Sequence, residues 1–144
     1  MNVQDVMTDS PRYVNADATI EEAARLMREH HIGLAPIAEN DRLVGVTTDR
    51  DLVIRALSEG KGPETPVTNC MTGKVLYCYQ GDDLADVAAN MQEQQVQRLV
   101  VLDNRDSKHL VGMISLSDIA DACERDANMA QAVSSCSKQY RHAA

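Results

Sequence analysis

Apolar residues recur at Ile20, Ala23, Ala24 and Met27, and this i, i+3, i+4, i+7 spacing predicts a helix with one apolar face. The same face returns at Leu84, Val87, Ala88 and Met91. Thr19 with Glu22 forms a capping-box pattern ahead of the first helix, and Asp83 is a good N-cap for the second. A short strand is expected before each helix, around Tyr13-Val14 and Leu76-Tyr77-Cys78. Two further strands follow each, at about 34–38 and 43–47, then at about 98–102 and 110–114. The polar turns Glu39-Asn40-Asp41 and Asp103-Asn104-Arg105-Asp106 separate them. A closing helix is expected from about 49 to 57 and again from about 116 to 123. Each copy reads β-α-β-β-α.

The agreement extends to the letters. Leu43-Val44-Gly45-Val46-Thr47-Thr48-Asp49-Arg50-Asp51-Leu52 returns as Leu110-Val111-Gly112-Met113-Ile114-Ser115-Leu116-Ser117-Asp118-Ile119. The second copy carries three extra residues, near Arg105-Asp106-Ser107. A repeat of this length predicts an α+β fold of two similar units packed about a pseudo-twofold axis, with two related clefts between them. The boundaries fall at 1–62 and 63–124, leaving a tail at 125–144. Each unit opens on a Met-Thr segment, Val3-Gln4-Asp5-Val6-Met7-Thr8 or Val67-Thr68-Asn69-Cys70-Met71-Thr72. These segments are expected to pin each unit's N-terminus across its partner. The stretch from Ser58 to Pro66 is rich in Gly and Pro and reads as a connector. In the tail, Met129, Val133, Cys136 and Tyr140 keep rough helical spacing.

Composition narrows the function classes. Hydrophobic residues make up 44% of the 144 positions, ordinary for a globular protein. Phe and Trp are absent, so Val, Ile, Leu, Ala and Met must build the core. The formal net charge is −8 and no Lys/Arg cluster appears, which argues against nucleic acid as a partner. No apolar run approaches the roughly 20 residues that cross a bilayer. Met1-Asn2-Val3-Gln4-Asp5 lacks the charged and apolar regions of a signal peptide. The expected location is the cytoplasm, with no membrane partner.

None of the cysteines Cys70, Cys78, Cys123 and Cys136 forms a CxxC pair, and a reduced state is the default. Cys78 occupies the place of Val14 in the repeat, which favours a buried apolar role. The alternative, a disulfide or a metal site with His30, His31 or His109, has no diagnostic spacing, so no metal is expected.

The β-α-β-β-α tandem, the Met-Thr openings and the Gly-φ-φ-(Thr/Ser)-x-x-Asp blocks (φ apolar) together resemble a pair of cystathionine β-synthase (CBS) domains, the Bateman module. The resemblance spans roughly residues 1–124 and implies a stand-alone bacterial type. Met27-Arg28-Glu29-His30-His31-Ile32-Gly33 and Thr48-Asp49-Arg50-Asp51 look like small stress- and dormancy-associated members. The resemblance implies an adenosine-containing ligand: AMP, ADP, ATP or S-adenosylmethionine. Asp51 and Asp118 would accept the ribose hydroxyls, and Thr48 and Ser115 would lie beside phosphate at a helix N-terminus. Arg50 would neutralise phosphate in the first copy; Ser117 replaces it in the second, whose basic candidates are Arg98 and His109. The adenine would lie near Tyr13, Val14, Ala35 and Pro36, or near Tyr77, Cys78, Leu99 and Val100. The first site is therefore expected to be the tighter. The charge of −8 slightly favours AMP or a cationic adenosyl ligand over ATP.

Each residue also has a structural reading. Asp51 and Asp118 suit a helix N-terminus electrostatically, Thr48 and Ser115 suit N-caps, and Arg50 suits an exposed first turn. His30-His31 reads as a solvated helix end. Two functions stay open. One is a non-catalytic module that senses an adenosine ligand, requires no cofactor and signals to a protein partner. The other is a structural or interaction protein with vestigial clefts, with redox or metal input through cysteine. No P-loop, HExxH or nucleophile–base spacing supports an enzyme. A homodimer is expected, because Ala24, Met27, Leu52, Ala56, Ala88, Met91, Ile119 and Cys123 offer more apolar helix surface than one small sheet covers.

Overall fold

The computed structural model describes residues 1–123. The elements run β1 (Thr8–Asp9), β2 (Val14–Asn15), α1 (Ile20–His30), β3 (Leu34–Glu39), β4 (Arg42–Thr48) and α2 (Asp49–Arg55). They continue with β5 (Tyr77–Tyr79), α3 (Leu84–Gln94), β6 (Arg98–Leu102), β7 (Leu110–Ser115) and α4 (Leu116–Cys123). The fold is mixed α+β, as the repeat pattern predicts. The helix expected at 125–144, with Cys136, lies outside the described residues.

Helix boundaries follow local chemistry. Thr19 Oγ1 accepts from the Glu22 N–H at 3.2 Å, and the Glu22 carboxylate accepts from the Thr19 N–H at 2.9 Å. Asp83 caps α3 by accepting from Ala85 and Asp86 N–H groups. Both helices end on a left-handed residue, His31 at φ 54° and Gln95 at φ 56°, which turns the chain into the next strand. His30 and His31 are exposed at that helix end. Each helix is a crossover between parallel strands, so Val14 pairs with Ile37 and Cys78 with Val101. An antiparallel strand follows in each copy, with the same irregularity after Ile37 and Val101. Asn40 and Asp41, at φ 52° and 64°, make the first hairpin tight. The three extra residues of the second copy enter the matching turn. There Asn104 Oδ1 accepts the N–H groups of Asp106 and Ser107, both at 2.9 Å.

The packing units cut across the repeat boundaries at 62/63. One unit is continuous, Arg12–Val75; the other is split, Met1–Pro11 together with the chain from Leu76 onward. The continuous unit holds the sheet β2-β3-β4, and the split unit holds β1-β7-β6-β5. Each repeat's leading segment thus packs with the other repeat. In the split unit, Val3 N–H donates to Asp82 O at 3.0 Å and Leu84 N–H to Met1 O at 2.9 Å. In the continuous unit, Val67 N–H donates to Ala18 O at 2.8 Å and Ile20 N–H to Thr65 O at 2.8 Å. Val3 and Val67 are fully buried anchors of these segments, each side chain contributing on the order of 1.5–3 kcal/mol by leaving water. The Gly/Pro connector is consequently laid against α1 rather than hanging between units.

The Met-Thr segments then cross the strand that follows each hairpin. Thr8 pairs with Met113 and Asp9 with Gly112 in antiparallel register. Thr72 exchanges two hydrogen bonds with Val46, at 3.1 and 2.8 Å. Gly45 and Gly112 lie directly beneath. A Cβ on Gly45 would stand 2.3 Å from Met71 Cγ and 2.9 Å from the Thr72 carbonyl oxygen. One on Gly112 would stand 2.7 Å from Met7 Sδ and 2.9 Å from the Thr8 carbonyl oxygen. The methionine fills the volume that a side chain would take.

The cores are aliphatic. Val14, Ala18, Ala23, Ile37 and Val67 pack together in the continuous unit. Val3, Cys78, Leu84, Val87, Met91, Leu99, Val101, Ile114 and Ile119 do so in the split unit. The apolar surplus expected on the helices is mostly absent: Met27, Ala56, Ala88, Met91 and Ile119 are buried. The helices turn these positions inward; Ala88, Met91 and Ile119 pack against the strand residues Cys78, Leu99, Val101 and Ile114. Ala24 is exposed as expected, and the large apolar residues exposed on and just after α2 are Val53 and Ile54, each 50% exposed, and Leu57, 71% exposed. Among the described residues, no helix is long and apolar enough to cross a membrane.

Gly45→Ala and Gly112→Ala should each destabilise the protein by about 1–3 kcal/mol, the usual cost of overpacking. The backbone carbonyls at 2.9 Å cannot rotate away as a side chain could. Urea unfolding midpoints would measure the loss, with Gly73→Ala, whose Cβ meets nothing within 4 Å, as the control.

Candidate ligand sites

The motif residues converge where β4 meets α2 and where β7 meets α4. Asp49 N–H donates to Gly33 O at 3.0 Å, and Leu116 N–H donates to Gln97 O at 2.9 Å. Each helix start is thereby fixed to the residue preceding β3 or β6. Thr48 Oγ1 accepts from Asp51 N–H at 3.1 Å, and Asp51 Oδ2 accepts from Thr48 N–H at 2.9 Å. This is a capping box, so the structural reading of the pair is satisfied. The second Asp51 oxygen, Oδ1, has only Arg55 Nη1 at 4.0 Å. Arg55 also donates to Met71 O at 3.3 Å, tying the Met-Thr segment to the helix. Its spacing from Asp51 is i, i+4, the signal by which sequence reasoning would have found it.

The second copy is wired differently. Asp118 Oδ2 accepts both Ser115 N–H at 2.7 Å and Ser115 Oγ–H at 2.9 Å, while Ser115 Oγ accepts from Asp118 N–H at 3.2 Å. Ser115 has spent its hydroxyl proton on the aspartate. Thr48 accepts without donating within the capping box, so its O–H can serve a ligand. Arg98 is exposed and is the direct cross-strand partner of Ser115, where the first copy has Leu34 opposite Thr48. Asp118 borders a hollow of about 190 Å³ together with the acidic Asp5 and Asp121. Arg50 is exposed, and with Asp49, Val53 and Ile54 it lines a hollow of about 350 Å³ along α2.

The residues expected beside an adenine lie on neighbouring parallel strands, Val14 on β2 next to the β3 strand of Ala35 and Pro36, and Tyr77 on β5 paired with Val100 on β6. Ala35 and Pro36 are buried in β3, opposite Thr47 and Val46 and next along the ladder from Thr48. Leu99 and Val100 hold the equivalent buried places in β6. Val14 and Cys78 are core residues of their own units. Tyr13 donates its hydroxyl to Asp41 Oδ1 at 3.0 Å, which raises the phenol above its ordinary range. Tyr77 stands edge-to-face against Tyr79, with ring centres 5.6 Å apart, and Arg105 lies 5.8 Å from the Tyr79 ring centre.

Cys78 is no reactive thiol. Burial first, and the nearby Asp82 charge second, push it up to about 12. Among the described residues, no three His, Cys, Asp or Glu side chains gather closely enough to hold a metal ion.

The sequence model of the CBS domain matches twice, over residues 3–58 and 67–125. "CBS domain-containing protein YhcV" of Bacillus subtilis (strain 168) is 32% identical over 141 residues, covering 98% of this chain and 99% of YhcV. The crystal structure of Hypoxic Response Protein I with two coordinated zinc ions superimposes with a TM-score of 0.74 at 33% identity. It covers 84% of this chain and 98% of that one. The CBS domain pair of protein MJ0100, in complex with 5-methylthioadenosine and S-adenosyl-L-methionine, gives a TM-score of 0.72 at 25% identity. It covers 86% and 96% of the respective chains.

The raised thiol has a consequence for stability. An unfolded chain loses the Cys78 proton near the ordinary value of 9.0, whereas the folded chain keeps it to about 12. Between those pH values the unfolded state binds fewer protons, so stability must fall as pH rises. Cys78→Val, copying Val14, removes this component; urea titrations at pH 8 and pH 11 should show a smaller drop for the variant than for the parent.

Proposed function

The chain belongs to the CBS-domain family, and from that premise we propose that it is a non-catalytic regulatory module that binds an adenosine-containing ligand and signals to a protein partner. The observation that carries this reading is the first hydroxyl–aspartate pair. Thr48 keeps its hydroxyl proton, Asp51 keeps one carboxylate oxygen, and Arg50 and Arg55 bring cations to the same helix. A ribose diol needs an acceptor, and a phosphate needs O–H and cationic partners; α2 carries both, while its first backbone N–H groups are committed to Gly33, Asp49 and Thr48. MJ0100, bound to adenosine derivatives, supports the ligand class.

The first site is the tighter one in this reading. The second has its serine proton engaged and acidic neighbours at Asp5 and Asp121, with Arg98 in partial compensation. Ligand binding at these helix starts biases the capped geometry, which is how the signal would leave the site.

Association of two copies is part of the proposal. Val53, Ile54 and Leu57 are exposed along α2 and the turn after it. Beside them lies an apolar groove of about 320 Å³ lined by Ile20, Ala24, Leu52, Leu57 and Pro63. A largely apolar strip of this kind, with Glu21 and Lys61 also lining the groove, suits an isologous dimer.

Calorimetry with AMP, ADP, ATP and S-adenosylmethionine tests the ligand. Asp51→Ala should abolish the tighter phase, and Arg50→Ser should weaken it about tenfold to hundredfold, the worth of one charge-assisted contact. Asp118→Ala should spare that phase. Absence of any binding at millimolar ligand would favour an interaction protein with vestigial clefts.

Light scattering tests the association. Leu57→Glu with Ile54→Glu should convert a dimer into a folded monomer at tens of micromolar, roughly the range in which such dimers hold together. A monomeric parent would overturn the dimer.

A further inference from the structure

We propose that Met7 and Met71 are paired oxidation sites, because each thioether is packed against a glycine of the strand that its own Met-Thr segment clasps. The two positions are related by the repeat, and both residues are half-buried. An ideal Cβ on Gly45 would lie 2.4 Å from Met71 Sδ, and one on Gly112 would lie 2.7 Å from Met7 Sδ. Each sulfur therefore occupies space that a side chain on its glycine would take.

The chemistry needs a peroxide. The sulfur lone pair attacks one peroxide oxygen, an S–O bond forms and the O–O bond breaks. The sulfur is oxidised by two electrons and the peroxide is reduced. The departing hydroxide takes the hydroxysulfonium proton, leaving methionine sulfoxide and water. The sulfoxide is larger than the thioether, polar, and needs a hydrogen-bond donor. In the continuous unit, the nearest strand amides are already committed: Val46 N–H to Thr72 O and Thr72 N–H to Val46 O. Beneath the sulfur is glycine backbone, which cannot recede. The oxidised segment must lift, and with it the Val46–Thr72 or Thr8–Met113 pairing.

Selectivity follows from packing. Met27 is 7% exposed and Met91 1% exposed, each in the interior of its helix. Met1 is exposed at the chain end, and Met113 is half-buried on β7, where neither fills a glycine notch. Oxidation at Met1 should be fast and without structural effect.

The test uses the full chain and hydrogen peroxide, with no ligand present, so its outcome is independent of the adenosine reading. Graded peroxide followed by peptide mapping should show sulfoxide at Met7 and Met71 well before Met27 and Met91. The melting temperature should fall by about 5 °C or more as those two sulfoxides accumulate, and methionine sulfoxide reductases should restore it. Met7→Leu with Met71→Leu should abolish the fall, with Met113→Leu as control. A double variant that loses as much as the parent would overturn the proposal. If the double variant does not fold, hydrogen exchange on partly oxidised parent protein decides. Faster exchange of the Val46 and Thr72 amides in molecules carrying sulfoxide at Met71 supports the proposal, and unchanged exchange overturns it.

Discussion

Two backbones pass over each other with a glycine between them, and much of each unit depends on that crossing. Gly45 and Gly112 let the Met-Thr segment lie against the strand closely enough for strand hydrogen bonds. The methionine then seals the space that glycine leaves. From this contact the segment runs back to Val67 or Val3, each fully buried beneath a helix start. Forward of it, the same strand ends on Thr48 or Ser115, where the hydroxyl–aspartate pairs form. Packing, strand pairing and the candidate ligand sites are thus strung along one strand per unit.

That arrangement explains why the two motifs of the chain travel together. The Gly-φ-φ-(Thr/Ser)-x-x-Asp block places a bare backbone position and a capped helix start three residues apart. The first accepts the crossing segment, and the second presents oxygen atoms. Arg55 links the two ends, reaching the Met71 carbonyl and the Asp51 carboxylate. With its side chain 46% exposed, Arg55 adds little stability through the ion pair. Its hydrogen bond to the segment makes it a geometric tie.

The repeats share a backbone but not their chemistry. His31 and Gln95 end their helices alike, and Ile37 and Val101 precede the same strand irregularity. At the sites the copies part. Threonine retains its proton where serine gives it to aspartate. Arg98 faces Ser115 where Leu34 faces Thr48, and acidic Asp5 and Asp121 border Asp118. Duplication supplied two scaffolds, and a few polar substitutions made their electrostatics unequal.

By itself the sequence determined the order of every helix and strand except β1, together with the helix caps and the position of the inserted turn. Those depend on short-range physics: the spacing of Ile20 through Met27, the Thr19–Glu22 capping box, and turn residues within a few positions of each other. It also marked Thr48 with Asp51 and Ser115 with Asp118, because an N-cap and its third residue are local partners. Tertiary structure alone decided which repeat each leading segment joins, since Val3 and Val67 pair with chain far away in sequence. It turned Met27, Ala56, Met91 and Ile119 inward and left Val53, Ile54 and Leu57 outside, because helix orientation depends on what the opposite sheet offers. It also brought Arg55 to Met71 and set Asp5 and Asp118 around one hollow, placements that no periodicity encodes. An apolar stripe says that a face will be covered; only the assembled neighbours decide by what.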